Sequence, residues 1–97
     1  MKQTIITAYF GLNERDGSPV DRNAERDLKL YLEQTFEGFT TWRAEGHWHG
    51  TPEPTLVVQV IGDDGVPLMR CAAQYWKARA NQDAVLITTQ EAEVAQC

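Results

Sequence analysis

An α+β domain, with a four-stranded antiparallel sheet carrying two helices on one face, is predicted from three observations. Four short stretches are rich in β-branched and aromatic residues. Two longer stretches repeat apolar residues at the three-to-four spacing of a one-sided helix. The stretches alternate in the order strand–helix–strand–strand–helix–strand, and 97 residues leave room for one core only. The domain is therefore expected to span residues 1–97, with its core over about 3–89 and a tail over 90–97.

Gln3 to Phe10 form the first predicted strand, with Ile6, Ala8 and Phe10 on one face and Ile5, Thr7 and Tyr9 on the other. Apolar groups on both faces suit a central position. Asp16-Gly17 and Ser18-Pro19 mark a turn region. The first helix is expected from Pro19 or Asp21 to Phe36, capped by Ser18 or by Asp21 itself. Its stripe is Ala24, Leu28, Tyr31, Leu32 and Thr35, and Gly38 ends it.

Thr40 to His49 alternate strongly enough to read as the second strand. Trp42, Ala44, Gly46 and Trp48 share one face, assigned to the helix-covered side because it carries the tryptophans. Thr41, Arg43, Glu45, His47 and His49 share the other face. Gly50 to Pro54 read as a turn, and Thr55 to Ile61 as the third and most apolar strand. The second helix runs from Val66 or Pro67 to Ala80, burying Leu68, Cys71, Ala72, Tyr75 and Arg79 on its stripe. Asp83 to Thr89 supply the last strand.

This order is the split βαβ of the ferredoxin-like arrangement. Right-handed crossovers place the first and third strands in the centre, flanked by the last and the second. One sheet face stays uncovered, and function is expected there.

Nine Lys and Arg against 14 Asp and Glu give a net charge of −5, spread without blocks of one sign. An acidic chain whose third strand, TLVVQVI, lacks aromatics does not suit nucleic-acid binding. No apolar run is long enough to span a bilayer, and the opening MKQTIITAYF lacks the apolar stretch of a signal peptide, so a cytoplasmic location is expected. Two cysteines are too few for a disulfide framework. No phosphate-binding or dinucleotide glycine pattern occurs, and no cofactor is expected.

Gly46-His47-Trp48-His49-Gly50 is the sharpest local feature. On a strand the two histidines point the same way, about 7 Å apart. They are candidates for proton transfer, or for two ligands of a metal with Glu53 or Cys97 as a third. Tyr9, Arg43, Glu45, His47, His49 and Gln59 are the candidate binding residues of the open face. Trp42, Trp48 and Trp76 read as core or near-core, with Trp76, at the edge of its stripe, also the best candidate for an exposed anchor on the second helix. These features predict a module that binds a ligand or protein without catalysis and forms a homo-oligomer through its open face. Two alternatives follow from the same residues: an enzyme of the dimeric α+β barrel type acting on a small molecule, and a metal-binding protein using His47 and His49.

Tyr9-Phe10-Gly11-Leu12 followed by Asp16-Gly17 resembles the opening of a small bacterial domain family of unknown function. Phe36-Glu37-Gly38-Phe39-Thr40, with Ala44, Gly46 and Trp48, is similar to that family's F-x-G-L-T…A-x-G-x-W segment. Tyr75 and Gln82 to Leu86 resemble its final helix and strand. The resemblance implies a ferredoxin-like arrangement and no established catalytic residue. Its members are often exported.

Overall fold

The computed structural model describes the whole chain, Met1–Cys97. Six elements follow in the expected order: β1 (Lys2–Gly11), α1 (Ala24–Thr35), β2 (Thr40–Trp48), β3 (Thr51–Ile61), α2 (Gly65–Arg79) and β4 (Leu86–Glu93). The sheet order is β2-β3-β1-β4 with every neighbour antiparallel, which is the ferredoxin-like α+β fold. No helix is long and apolar enough to cross a membrane.

The core lies between the sheet and the helices. Ile6, Ala8 and Phe10 from β1 and Leu56, Val58 and Val60 from β3 meet Ala24, Leu28 and Leu32 of α1 and Met69, Ala72 and Trp76 of α2. Strand alternation sends the other set of side chains to the open face. Helix α1 buries Ala24, Leu28 and Leu32 of the expected stripe and leaves Tyr31 and Thr35 half-buried, and it begins at Ala24 rather than at Pro19 or Asp21. The preceding residues are used in turns instead. The Asp16 carboxylate accepts from the Ser18 backbone and hydroxyl, and the Asp21 carboxylate accepts from the Asn23 N–H.

Helix α2 is rotated relative to expectation. Met69, Ala72, Ala73 and Trp76 are buried, whereas Leu68 and Cys71 face solvent. Ala72 and Ala73 let the helix approach the sheet closely, and the indole of Trp76 fills the space beside them. Trp76 meets Phe10 edge-on at 6.1 Å, and its Nε1–H donates to the Gly11 carbonyl at 3.0 Å. With 0% of its surface exposed, Trp76 is a core residue, as its first reading has it, and is excluded as an exposed anchor.

The hairpin between β2 and β3 is tighter and longer than expected. His49 and Gly50 both have positive φ (49° and 79°), so they form a two-residue primed turn. Thr51 to Pro54 therefore continue the strand rather than forming a loop. Trp48–Thr51 closes the turn as a hydrogen-bonded pair, so odd positions of β3 bond to β2 and even positions face β1. Pro52 and Pro54 occupy even positions, where the N–H they lack would point away from β2. Only the Pro54 carbonyl is used on that side, accepting from Leu12 N–H at 2.9 Å. The hairpin thus projects past the end of β1. At the other edge, β4 starts at Leu86 rather than Asp83 and runs on to Glu93, taking in the first half of the expected tail.

Candidate functional site: the open sheet face

Register decides what the open face carries. Trp42 pairs with Val57, Val57 with Tyr9, and Tyr9 with Leu86, so one apolar row crosses all four strands. The next row is polar: Thr40, Gln59, Thr7 and Thr88. Gln59 Nε2 donates to Thr7 Oγ1 at 3.4 Å within it. On the other side of the apolar row, Ala44, Thr55 and Gly11 form a row of small side chains, followed by Gly46 opposite Glu53. Trp48 stands opposite Thr51 at the hairpin tip.

The tryptophans of β2 consequently lie on the open face, reversing the predicted facing of that strand. Period-two alternation fixes which residues travel together but not which side they take. The side is set by β3, whose Leu56, Val58 and Val60 must meet the helices. Trp42, paired with Val57, is left on the outside and is 43% exposed, and Trp48 is 73% exposed. Val57 is buried even on this face, in the row between Trp42 and Tyr9.

Glu53 gives the face its chemistry. Its carboxylate lies over Gly11, where an added Cβ would stand 2.6 Å from Oε1 and 2.9 Å from Oε2. Asn13 N–H donates to Oε2 at 3.3 Å. Glu53 is only partly exposed, and Gly11 and Gly46 beside it carry no side chains, so a half-buried carboxylate meets solvent across a bare patch. Gly11 also faces inward through its carbonyl, which accepts from Trp76 Nε1 at 3.0 Å and from Gln82 Nε2 at 2.6 Å. The floor beneath Glu53 is therefore tied to the core by two hydrogen bonds.

Of the residues predicted for a site, Tyr9 and Gln59 are on the open face, in adjacent rows. Arg43, Glu45 and His47 are on the opposite face of β2, by the same reversal. Arg43 reaches α1 and pairs with Glu25. His47 Nε2 and Glu45 Oε2 lie 3.0 Å apart, both exposed where the hairpin overhangs the body. His49 belongs to the turn, its ring edge-on to Trp48 at 4.9 Å. The two histidines do not form one row, and nowhere do three His, Cys, Asp or Glu side chains converge as a metal would require. The metal reading loses its geometric basis.

Trp42, Trp48, Val57 and Gly11 were not expected in the site, and Glu53 was expected only as a third metal ligand beside the histidines. The Xaa-Gly dipeptide His49-Gly50 was the available signal, because a two-residue turn there pairs Trp48 with Thr51 and Trp42 with Val57. Nothing in the sequence alone placed the Glu53 carboxylate over Gly11, since that contact joins residues 42 positions apart.

Compared by sequence, the chain matches no protein-family model and no curated protein. A solved structure, a phage SAM lyase in complex with S-methyl-5′-thioadenosine, superposes with a TM-score of 0.61. The match covers 92% of this chain and 81% of the lyase chain at 15% identity. At that identity the likeness speaks for the fold.

Proposed function

We propose that the open face binds the adenosyl group of a sulfonium or thioether nucleoside, and that the chain is an enzyme cleaving a sulfonium of the S-adenosylmethionine class. The observation that carries this reading is the half-buried Glu53 carboxylate seated on Gly11, beside the apolar row of Trp42, Val57 and Tyr9. An aromatic row offers a flat surface for a purine. A fixed carboxylate accepts hydrogen bonds from paired hydroxyls, as on a ribose, or faces a cation. The fold shared with a lyase holding S-methyl-5′-thioadenosine supports the same ligand class.

The chemistry makes few demands on the protein. The substrate's own α-carboxylate can attack its γ-carbon, so that a lactone C–O bond forms as the γ-carbon–sulfur bond breaks. The electron pair returns to sulfur and the thioether departs neutral, so the leaving group needs no acid. Positive charge is consumed, and an apolar surface that excludes water favours that change. Aromatic faces hold the sulfonium until it reacts. Neither histidine is required, consistent with His47 and His49 lying off this face.

The decisive experiment incubates the protein with S-adenosylmethionine and measures S-methyl-5′-thioadenosine by reversed-phase chromatography. Product above the uncatalysed background is expected, with Glu53→Gln reducing the rate about 100-fold, as for a group acting directly on substrate, and His47→Ala leaving it unchanged. Absence of turnover together with no binding of S-methyl-5′-thioadenosine at millimolar concentration would refute the reading.

A second reading concerns assembly. Trp48, Leu86, Ile61 and Trp42 are exposed large apolar side chains on one face, which favours closure of that face by another copy of the chain. Such closure would also shelter the Glu53 site from water. Light scattering of the parent and of Trp48→Ser is the test. A monomeric parent at tens of micromolar removes this reading without touching the first.

A further inference from the structure

The edge of the sheet opposite β4 carries a second surface, distinct from the open face. In β2, the pairs Thr41–Val58, Arg43–Leu56, Glu45–Pro54 and His47–Pro52 alternate with the hydrogen-bonded pairs that start at Trp48–Thr51. The N–H and C=O groups of Thr41, Arg43, Glu45 and His47 therefore point away from β3, into solvent. They form an unpaired ladder on a nine-residue strand with no proline in it.

A shallow, open groove of roughly 580 Å³ lies along the outer side of α1, where Arg43 of β2 reaches it. It is lined by Arg22, Arg26, Lys29 and Arg43, with Glu25, Glu33 and the half-exposed Leu30. A second groove of roughly 280 Å³ shares Arg22, Glu25 and Arg43 with it and continues toward Pro54. Four of the chain's nine basic residues thus meet in one groove, although the net charge is −5. Glu25 is engaged by both Arg43 and Lys29, which leaves Arg22 at the junction of the two grooves without an ion-pair partner.

We infer that this edge docks an extended acidic peptide segment, added to β2 as a fifth strand. The ladder supplies main-chain hydrogen bonds, and side chains of the added strand alternate between faces. Acidic residues at every second position would fall on the Arg43 side and reach the cations of the groove. A nucleic acid fits less well, because a phosphate backbone has no use for an open strand ladder.

The test uses a fluorescein-labelled eight-residue peptide of alternating glutamate and threonine. Its comparators are the lysine–threonine analogue and an oligothymidylate of eight nucleotides. Saturable anisotropy is expected for the acidic peptide alone, with amide shifts at Thr41, Arg43, Glu45 and His47 in NMR spectra. Arg22→Glu combined with Arg43→Glu should weaken binding tenfold or more. Glu45→Pro removes one outward N–H without breaking the β2–β3 ladder and should weaken it similarly. If that variant melts well below the parent, His47→Pro makes the same deletion nearer the exposed tip. No saturation at millimolar peptide, equal binding of oligothymidylate, or unchanged binding by a folded proline variant would each overturn the inference.

Discussion

Substituting Gly11→Ala separates the Glu53 site from the stability of the fold. The new Cβ would stand 2.6, 2.8 and 2.9 Å from Oε1, Cδ and Oε2 of Glu53, so the carboxylate must retreat by about 0.8 Å or more to reach ordinary contact. It is the far end of a flexible side chain, and it can swing outward. Doing so breaks its bond with Asn13 N–H, and a hydrogen bond to a charged group contributes about 1.5–3 kcal/mol. Replacing a strand glycine returns about 0.5–1 kcal/mol of backbone entropy. The net loss is about 0.5–2.5 kcal/mol, which lowers the melting temperature of a domain this size by roughly 2–20 °C and leaves it folded at 25 °C. Ligand binding suffers separately. A carboxylate that no longer meets the ligand's donors forfeits about 1.5–3 kcal/mol, or roughly 10–150-fold in affinity. Titration calorimetry with S-methyl-5′-thioadenosine reads the second effect and circular-dichroism melting the first. An alanine variant that binds as tightly as the parent would show that the glycine seat does not position Glu53, and the argument for the open face would fall with it.

Three further outcomes follow from other parts of the molecule. Trp76→Phe keeps most of the core volume but removes the donor to the Gly11 carbonyl, and a loss of about 1–3 kcal/mol is expected by urea denaturation; an unchanged midpoint would mean that Gln82 alone satisfies that carbonyl. His49→Asn places a better residue at the first positive-φ position of the hairpin turn and should raise stability by about 0.5–1 kcal/mol in the same assay. Hydrogen bonds from Arg79 and then Arg26 hold the Asp27 carboxyl below its usual 3.8. The ionised form is thus preferred in the folded state, and its contribution, present above that ordinary value, is lost as pH falls through the lowered native one. Asp27→Asn should therefore be less stable than the parent near neutrality, with the gap closing below about pH 4 in melting temperatures taken across pH; a gap that stays constant down to pH 2 would assign the difference to something other than the charge.

The order of elements, the central places of β1 and β3, and the inner stripe of α1 were legible because each rests on local spacing. Ala24, Leu28 and Leu32 repeat at helical intervals whatever surrounds them, and the residues of β1 alternate at an interval of two. The phase of α2 was not legible in the same way. Its sequence GVPLMRCAAQYWKAR offers two plausible stripes, and the buried one was selected by the fit of Trp76 against Phe10 and under Gly11. Stabilisation by one large indole outweighed that of the stripe holding Leu68 and Cys71.

The same distinction runs through the candidate site. Tyr9 and Gln59 could be placed on the uncovered face from the alternation of central strands, but β2 could be placed only as a set of pairs. Edge strands feel the helices weakly, so their hydrophobic pattern is a poor guide to which side is inside. Two tryptophans outside and an arginine paired with α1 are the result. By itself the sequence determined the kind of layers this chain folds into, because periodicity and turn chemistry are properties of neighbouring residues. Only the tertiary structure decided which surface carries chemistry. A carboxylate over Gly11 and an apolar row across four strands join residues far apart in the chain through strand register, and the cationic groove needs Arg43 of β2 to reach α1.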